Sequence, residues 1–195
     1  MKAGVLFSGG KDSALSAVIL SRDYEVELNS FVFSAGRDTS AIESAARVLG
    51  FPWKRRVFSE GFLERMADLI IASGYPNDAI QEVHCAALAR LSSEYEVIAD
   101  GTRMDDRIPK LSGAEVRSLQ DRTGCSYVRP LLGYGKREVE RLAHRHFGIL
   151  YGETGTLANG DYEQELQNAV RMRGGEVAVL FPRDHQQSLV MAKQG

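Results

Sequence analysis

An α/β fold is what this sequence predicts: an open, parallel, five-stranded sheet with helices on both faces and a small C-terminal addition. Three observations carry that expectation. Short apolar runs alternate with helix-length segments of 3.6-residue periodicity, which is the signature of strand-crossover-strand units. A glycine turn, Ser8-Gly9-Gly10-Lys11-Asp12-Ser13, joins the first apolar run to the first helix. The chain's 195 residues, 44% of them hydrophobic, suffice to bury one such core but are too few for two large ones.

Strands are expected near residues 4–7, 28–33, 56–58, 97–99 and 127–128. Helical spacing shows in Phe62, Met66, Leu69 and Ile70, in Ile80, Val83, Ala87 and Leu91, and in Val139, Leu142 and Ala143. Two helices in succession lie between the third and fourth strands, parted by Ser73-Gly74-Tyr75-Pro76-Asn77, where glycine and proline punctuate the chain. That long crossover carries the chain to the other side of the sheet. If strands two and three lie on one side of strand one and strand four on the other, the glycine turn sits at a topological switch point, where open α/β sheets bind ligands.

The regular domain is expected over residues 1–150. Residues 151–159 turn Gly- and Thr-rich, 161–172 read as one more helix, and 176–181 and 188–191 read as two short strands of a β-hairpin turned at Pro182-Arg183-Asp184-His185. A helix and hairpin packed on the domain would thus fill residues 151–195.

Charged residues make up 26% of the chain and the net charge is −2, so no global electrostatic pull toward nucleic acid or anionic membrane is present. An RNA partner would have to be held by local patches such as Lys54-Arg55-Arg56, Lys136-Arg137 or Arg171 and Arg173. Two cysteines, Cys85 and Cys125, with no CxxC, argue against a disulfide framework and fit a reducing compartment. With no signal-peptide pattern at the N-terminus and no apolar run of membrane-spanning length, a cytoplasmic protein without a membrane partner is expected.

The chemistry of the glycine turn is that of an anion cradle. Glycines let backbone amides approach phosphate oxygens, and the helix that follows adds its free amides and positive dipole end. Lys11 contributes a point charge. A plain strand-to-helix turn would account for glycine and serine, but not for Gly-Gly-Lys-Asp-Ser together. The turn is no Walker A loop, which needs G-x4-G-K-[ST], and no G-x-G-x-x-G dinucleotide turn is present here.

Ser8–Ser13 resembles the PP-loop, SGGxDS, of the ATP pyrophosphatase superfamily, whose fold is the HUP-type, adenine nucleotide α-hydrolase-like sheet. Two further segments extend the likeness over about residues 2–143. Asp100-Gly101-Thr102-Arg103-Met104-Asp105-Asp106 is similar to a GTNADD-type segment after strand four, with Arg103-Met104 in place of Asn-Ala. Arg129-Pro130-Leu131-Leu132-Gly133-Tyr134-Gly135-Lys136-Arg137-Glu138-Val139 resembles a segment of tRNA 2-thiouridylases and sulfur-transferring relatives.

The resemblance implies ATP and Mg²⁺ as cofactors, with ATP split into AMP and pyrophosphate and the AMP attached to a substrate oxygen. Ser8, Gly9, Gly10, Lys11, Asp12 and Ser13 would hold the phosphates, with Gly101 and Thr102 also at the nucleotide, and Phe33 and Ser34 against the base. Asp12 would be a Mg²⁺ ligand. Lys11, Asp12 and Lys136 are the catalytic candidates. Asp105 and Asp106 would complete the metal shell, although carboxylates there would also serve a helix dipole. Lys136 would meet the leaving pyrophosphate or stand solvated at a turn, and Asp38 or Thr39 near Ser34 would equally cap the next helix. Cys125, on a loop before strand five, is a persulfide-carrier candidate or a small buried hydrophobe. Asn77, Glu82 and His84 would line a substrate pocket or, as helical spacing favours, stand on a helix surface, and none of the four histidines shows metal spacing.

The function this implies is an ATP-dependent adenylating enzyme acting on a carbonyl oxygen, in tRNA base modification or thiolation. A partner subunit bringing sulfur or RNA binding would supply what the chain lacks. A small-molecule amide ligase or sulfurtransferase is the alternative acceptor class, and a non-catalytic adenine-nucleotide sensor is the alternative from another class.

Overall fold

The computed structural model describes residues 1–153, 157–181 and 186–194. Five strands, β1 (Lys2–Leu6), β2 (Glu25–Val32), β3 (Trp53–Val57), β4 (Val97–Ala99) and β5 (Ser126–Val128), form one sheet in the order β3-β2-β1-β4-β5, with every pairing parallel. The order reverses at β1, as the long crossover requires. Between the strands run α1 (Lys11–Leu20), α2 (Ser40–Leu49), the pair α3 (Phe62–Ser73) and α4 (Asn77–Ser92), and α5 (Gly113–Thr123); α6 (Lys136–His146) follows β5.

Burial explains the layers. Apolar residues of β1 and β2 are shielded on both sides, as parallel strands with helices on each face demand. On one face Leu15 and Leu20 of α1, Ile42 and Leu49 of α2, and Val139 and Ala143 of α6 share a core. On the other, Leu88 and Leu91 of α4 pack with Leu119 of α5, while Phe62, Met66 and Ile70 of α3 pack with Val83 of α4. Gly74, at φ +84°, ends α3 in a left-handed cap, so the chain can reverse into α4. The apolar pattern does not announce α5, because Leu119 is its one buried residue; a Ser112/Glu115 capping box starts it instead.

The C-terminal part departs from the expected hairpin. Residues 176–181 hold a four-residue helix, α8 (Val177–Leu180), rather than a strand. The strand expected at 188–191 is real and longer, β7 (Gln186–Lys193), but its partner is β6 (Phe147–Glu153), which begins directly after α6 and crosses position 150. The two pair antiparallel from Phe147 opposite Lys193 to Glu153 opposite Gln186. Packing decides this outcome: Phe147, Leu189 and Val190 are buried against the α1, α2 and α6 core, whereas Val177 and Leu180 lie at the edge of the α3 face. The expected helix exists as α7 (Glu163–Met172), and its Leu166 and Val170 cover α3. Residues 182–185, expected to turn the hairpin and including His185, lie outside the described residues.

Candidate nucleotide site

The chain leaves β1 at the switch point and enters α1 through the glycine turn. A cleft of about 330 Å³ opens there, lined by the turn, by Asp100–Arg103 and Asp106 after β4, by Lys136, and from the C-terminal part by Asn159–Tyr162 and Gln186–Ser188. Close approach dictates two of its glycines. A Cβ on Gly101 would lie 2.8 Å from Ser13 N and 2.9 Å from Asp12 C, so the loop after β4 rests on the backbone that starts α1. Gly9 has φ +84°, and a Cβ there would stand 3.0 Å from Leu189 Cδ1.

The turn is braced by its own hydroxyls and by β7. Ser13 Oγ donates to Gly10 O at 3.1 Å, Gly10 N donates to Ser8 Oγ at 3.3 Å, and Ser8 N donates to Ser13 Oγ at 3.3 Å. Val190 N donates to Gly9 O at 2.9 Å, Gly160 N to Ser8 O at 2.7 Å, and Lys11 N to Ser188 Oγ at 3.2 Å. That leaves Asp12 and Ser13, whose amides belong to the first turn of α1 and have no intrahelical acceptor.

Charge converges on Asp12. Its Oδ1 is buried and accepts no hydrogen bond; the nearby Lys11 Nζ, 3.1 Å away, is an ion pair outside hydrogen-bonding direction. Its Oδ2 lies 3.6 Å from the Arg103 guanidinium. Arg103 also binds Asp106, through Nε at 3.0 Å and Nη2 at 2.5 Å, and stands 3.8 Å from Asp105. Asp105 Oδ2 accepts from Lys136 N at 2.8 Å, and that amide holds its carboxyl below the usual range. The three carboxylates expected around a metal are therefore brought together, but with a guanidinium among them. Among the described residues no group of three or more His, Cys, Asp and Glu side chains is arranged to hold a metal ion. The orphaned Asp12 oxygen fits a hard cation such as Mg²⁺, while Asp106 is committed to Arg103.

Behind the cleft His84, expected at a helix surface or in the lining of a substrate pocket, joins Asp100 and Tyr127. His84 is 5% exposed and lines the cleft. Its Nε2 is 2.7 Å from Asp100 Oδ2, which also accepts from Tyr127 Oη at 2.5 Å, while Asp100 Oδ1 accepts from Thr102 N at 2.9 Å. Burial alone would raise the Asp100 carboxyl, but the hydrogen bond and charge of His84, with Tyr127 and the Thr102 amide, hold it below the ordinary range. Burial and Asp100 together push the Tyr127 hydroxyl well up. The signal was present: His84 sits beside Val83, three residues before Ala87, on the stripe that faces the sheet.

Phe33 and Ser34 do not line this cleft. Phe33 packs on Phe58, Phe62 and Tyr162, and its amide donates to Glu165 Oε1 at 3.3 Å. Glu165 is ion-paired with Arg37, which donates to Asn159 O at 2.9 Å, so α7 closes over the end of β2. Ser34 is exposed, and Asp38 Oδ1 accepts from Ser40 N at 2.8 Å at the start of α2. Cys125 is buried with Leu119 and Tyr127, and neither it nor Cys85 lines the cleft. Burial, with Glu115 and Glu82 nearby, raises the Cys85 thiol.

A model described as "Family of unknown function (DUF7411)" matches residues 1–192. An uncharacterized protein of Methanocaldococcus jannaschii, MJ0690, is 41% identical over 192 residues, 98% of this chain and 96% of that one. A crystal structure from the same organism, described as a "predicted subunit of tRNA methyltransferase", superposes with TM-score 0.90 and 39% identity, covering 100% of this chain and 99% of that one. The U34-tRNA thiolase NcsA of Methanococcus maripaludis shares the fold, at TM-score 0.54 and 18% identity, over 74% of this chain and 55% of its own.

Proposed function

The chain belongs to the DUF7411 family, and from that premise we propose that it binds ATP in the cleft and adenylates a carbonyl oxygen of an RNA base, with tRNA as substrate. The observation that carries this reading is the buried Asp12 oxygen that accepts no hydrogen bond and is ion-paired with Lys11, at a glycine turn placed on the switch point of the sheet. The 39%-identical neighbour described as a "predicted subunit of tRNA methyltransferase" supports a tRNA connection and a partner subunit. The thiolase supports the fold alone.

In the proposed reaction the acceptor oxygen attacks the α-phosphorus of ATP, the bond from that phosphorus to the bridging oxygen breaks, and pyrophosphate leaves with the electron pair. AMP is then displaced by a second nucleophile such as sulfide or ammonia. Lys11, Arg103, Lys136 and the amides of the first turn of α1 orient the phosphates and offset the charge that grows on the leaving group. Mg²⁺ held through Asp12 would supply further neutralisation there. His84, held by Asp100, stands in the wall of the cleft, where its ring would position the acceptor.

Two observations favour a second reading. Ser188 already satisfies Lys11 N, and Arg103 already binds Asp106 and stands within 4 Å of Asp12 and Asp105, an arrangement that suits a nucleotide sensor as well as an enzyme. The test is incubation with α-labelled ATP and Mg²⁺, with and without tRNA, for the wild type and Asp12→Ala. AMP and pyrophosphate that depend on tRNA and on Asp12 are expected. If small metabolites and not tRNA elicit AMP, the acceptor is a small molecule; ATP bound but intact throughout means a sensor.

A further inference from the structure

Tyr151 brings a hydroxyl to the cleft from β6, far in the chain from the glycine turn and the loop after β4. Strand register explains how it arrives there. In the antiparallel ribbon Tyr151 stands directly opposite Ser188, and directly opposed residues put their side chains on one face. That face is seated on the start of α1: Ser188 Oγ accepts from Lys11 N at 3.2 Å, and a Cβ on Gly10 would lie 3.3 Å from the same oxygen. Tyr151 therefore stands beside the first turn of α1, in the wall that also holds Asp12 and Lys136.

A second side chain fixes this hydroxyl. Tyr151 Oη lies 3.0 Å from His144 Nε2, and the two ring centroids are 5.8 Å apart. His144 is on α6, about two turns beyond Lys136, with Glu140 midway and Lys136 Nζ 4.0 Å from the Glu140 carboxylate. Burial, followed by the charges of Glu140 and Asp12, pushes the Tyr151 hydroxyl above its ordinary value, so it stays protonated through the neutral range. When His144 Nε2 carries the hydrogen and donates to Oη, the phenolic proton is left for a partner in the cleft. An anion there selects that arrangement, since only then does it meet a donor.

A residue that merely covered the ribbon would need the ring of Tyr151 and not its hydroxyl. The hydroxyl adds a neutral donor next to the amides of Asp12 and Ser13, which have no intrahelical acceptor, and to the ammonium of Lys136. We propose that Tyr151, set by His144, donates a hydrogen bond to the pyrophosphate end of the bound nucleotide and so favours ATP over AMP. Tyr151 is the specificity-determining contact and His144 a positioning residue. The inference rests on the reading of the cleft as an ATP site and gives the β6–β7 ribbon a part in it.

The test is isothermal titration of the whole chain with α,β-methylene-ATP, AMP and inorganic pyrophosphate, each with Mg²⁺. Tyr151→Phe keeps the ring; its dissociation constants for the ATP analogue and for pyrophosphate are expected to rise about tenfold or more, while that for AMP stays within about twofold. His144→Ala should lose part of the same discrimination, and His144→Gln, whose side-chain amide can still donate to Oη, should restore it. Equal affinities in wild type and Tyr151→Phe overturn the contact and leave the ATP reading intact, as does a loss that falls equally on AMP. Wild-type discrimination in His144→Ala overturns the positioning role. Discrimination lost in Tyr151→Phe while α-labelled ATP yields no AMP with any acceptor overturns adenylation and leaves the contact standing; a wild type that binds neither the analogue nor pyrophosphate overturns both.

Discussion

The guanidinium of Arg103 lies 3.6 Å from the carboxylate of Asp12 and is held in place by two hydrogen bonds to Asp106. It is a fixed positive charge at the mouth of the cleft, half-buried and therefore less screened than a surface arginine. Burial works against its charge, but Asp106, Asp12 and Asp105 overcome that and raise it further above its already high value. It stays charged at any working pH. We predict that Arg103→Ala lowers AMP formation at least about tenfold, equivalent to about 1.4 kcal/mol of transition-state stabilisation. Arg103→Lys should not restore it, since a point charge cannot reproduce the fork to Asp106. An unchanged or faster rate in Arg103→Ala would mean that the guanidinium only fills the place of a cation.

Gly101→Ala should damage the site from behind. The added methyl would sit 2.8 Å from Ser13 N and 2.9 Å from Asp12 C, backbone atoms that cannot swing aside. A cost of about 1–3 kcal/mol in stability is expected, as for overpacking generally. Nucleotide affinity, followed by isothermal titration, should fall with it because the start of α1 is displaced. A variant with wild-type melting and affinity would show that the loop after β4 has more room than its 2.8 Å approach indicates.

Asp100 should shape the acid limb of stability. Its folded-state carboxyl is held below the unfolded value of about 3.9, so its contribution is full above that value and is lost as pH falls through the folded one. Asp100→Asn removes this dependence. Its melting temperature should therefore fall less steeply than the wild type's below about pH 4, the wild-type excess being at most about 1.4 kcal/mol per pH unit. Parallel acid limbs would show that Asp100 titrates alike in both states. His84→Ala, which takes one donor from a buried carboxylate, should cost about 1–3 kcal/mol near neutral pH in the same melts.

Leu189→Ala tests whether β7 belongs to the nucleotide site. Leu189 is buried against the core shared by α1 and α2, and its Cδ1 is the nearest atom to the space above Gly9. Loss of a buried leucine costs about 2–5 kcal/mol. Beyond that, ATP affinity should weaken, since the hydrogen bonds from Val190 to Gly9 and from Lys11 to Ser188 depend on the seating of β7. Destabilisation with intact affinity would make β7 a brace for the core alone.

Much of the scaffold was legible in the residues. Strand four was expected at its exact bounds, and the other four sheet strands to within three residues at each end, because a buried parallel strand such as β1 or β4 is a continuous apolar run. Boundaries slipped where charge misled: β3, Trp53–Val57, carries Lys54-Arg55-Arg56 because it is an edge strand with one side open to solvent. Helix α5 was missed because it buries one leucine, and β6 because it follows α6 without a break and its FGILYGE sequence alternates poorly.

Local sequence by itself determined the glycine turn, the two-helix crossover and, through them, the switch point that makes the turn a ligand site; these follow from backbone sterics and apolar period, which act over a few residues. Only tertiary structure decided that β7 would pair with β6 and seat on the turn, that Arg103 would stand among Asp12, Asp105 and Asp106, and that α7 would cover Phe33. Each is a contact between segments distant in the chain, set by which surfaces bury best together, and a one-dimensional pattern carries no term for it.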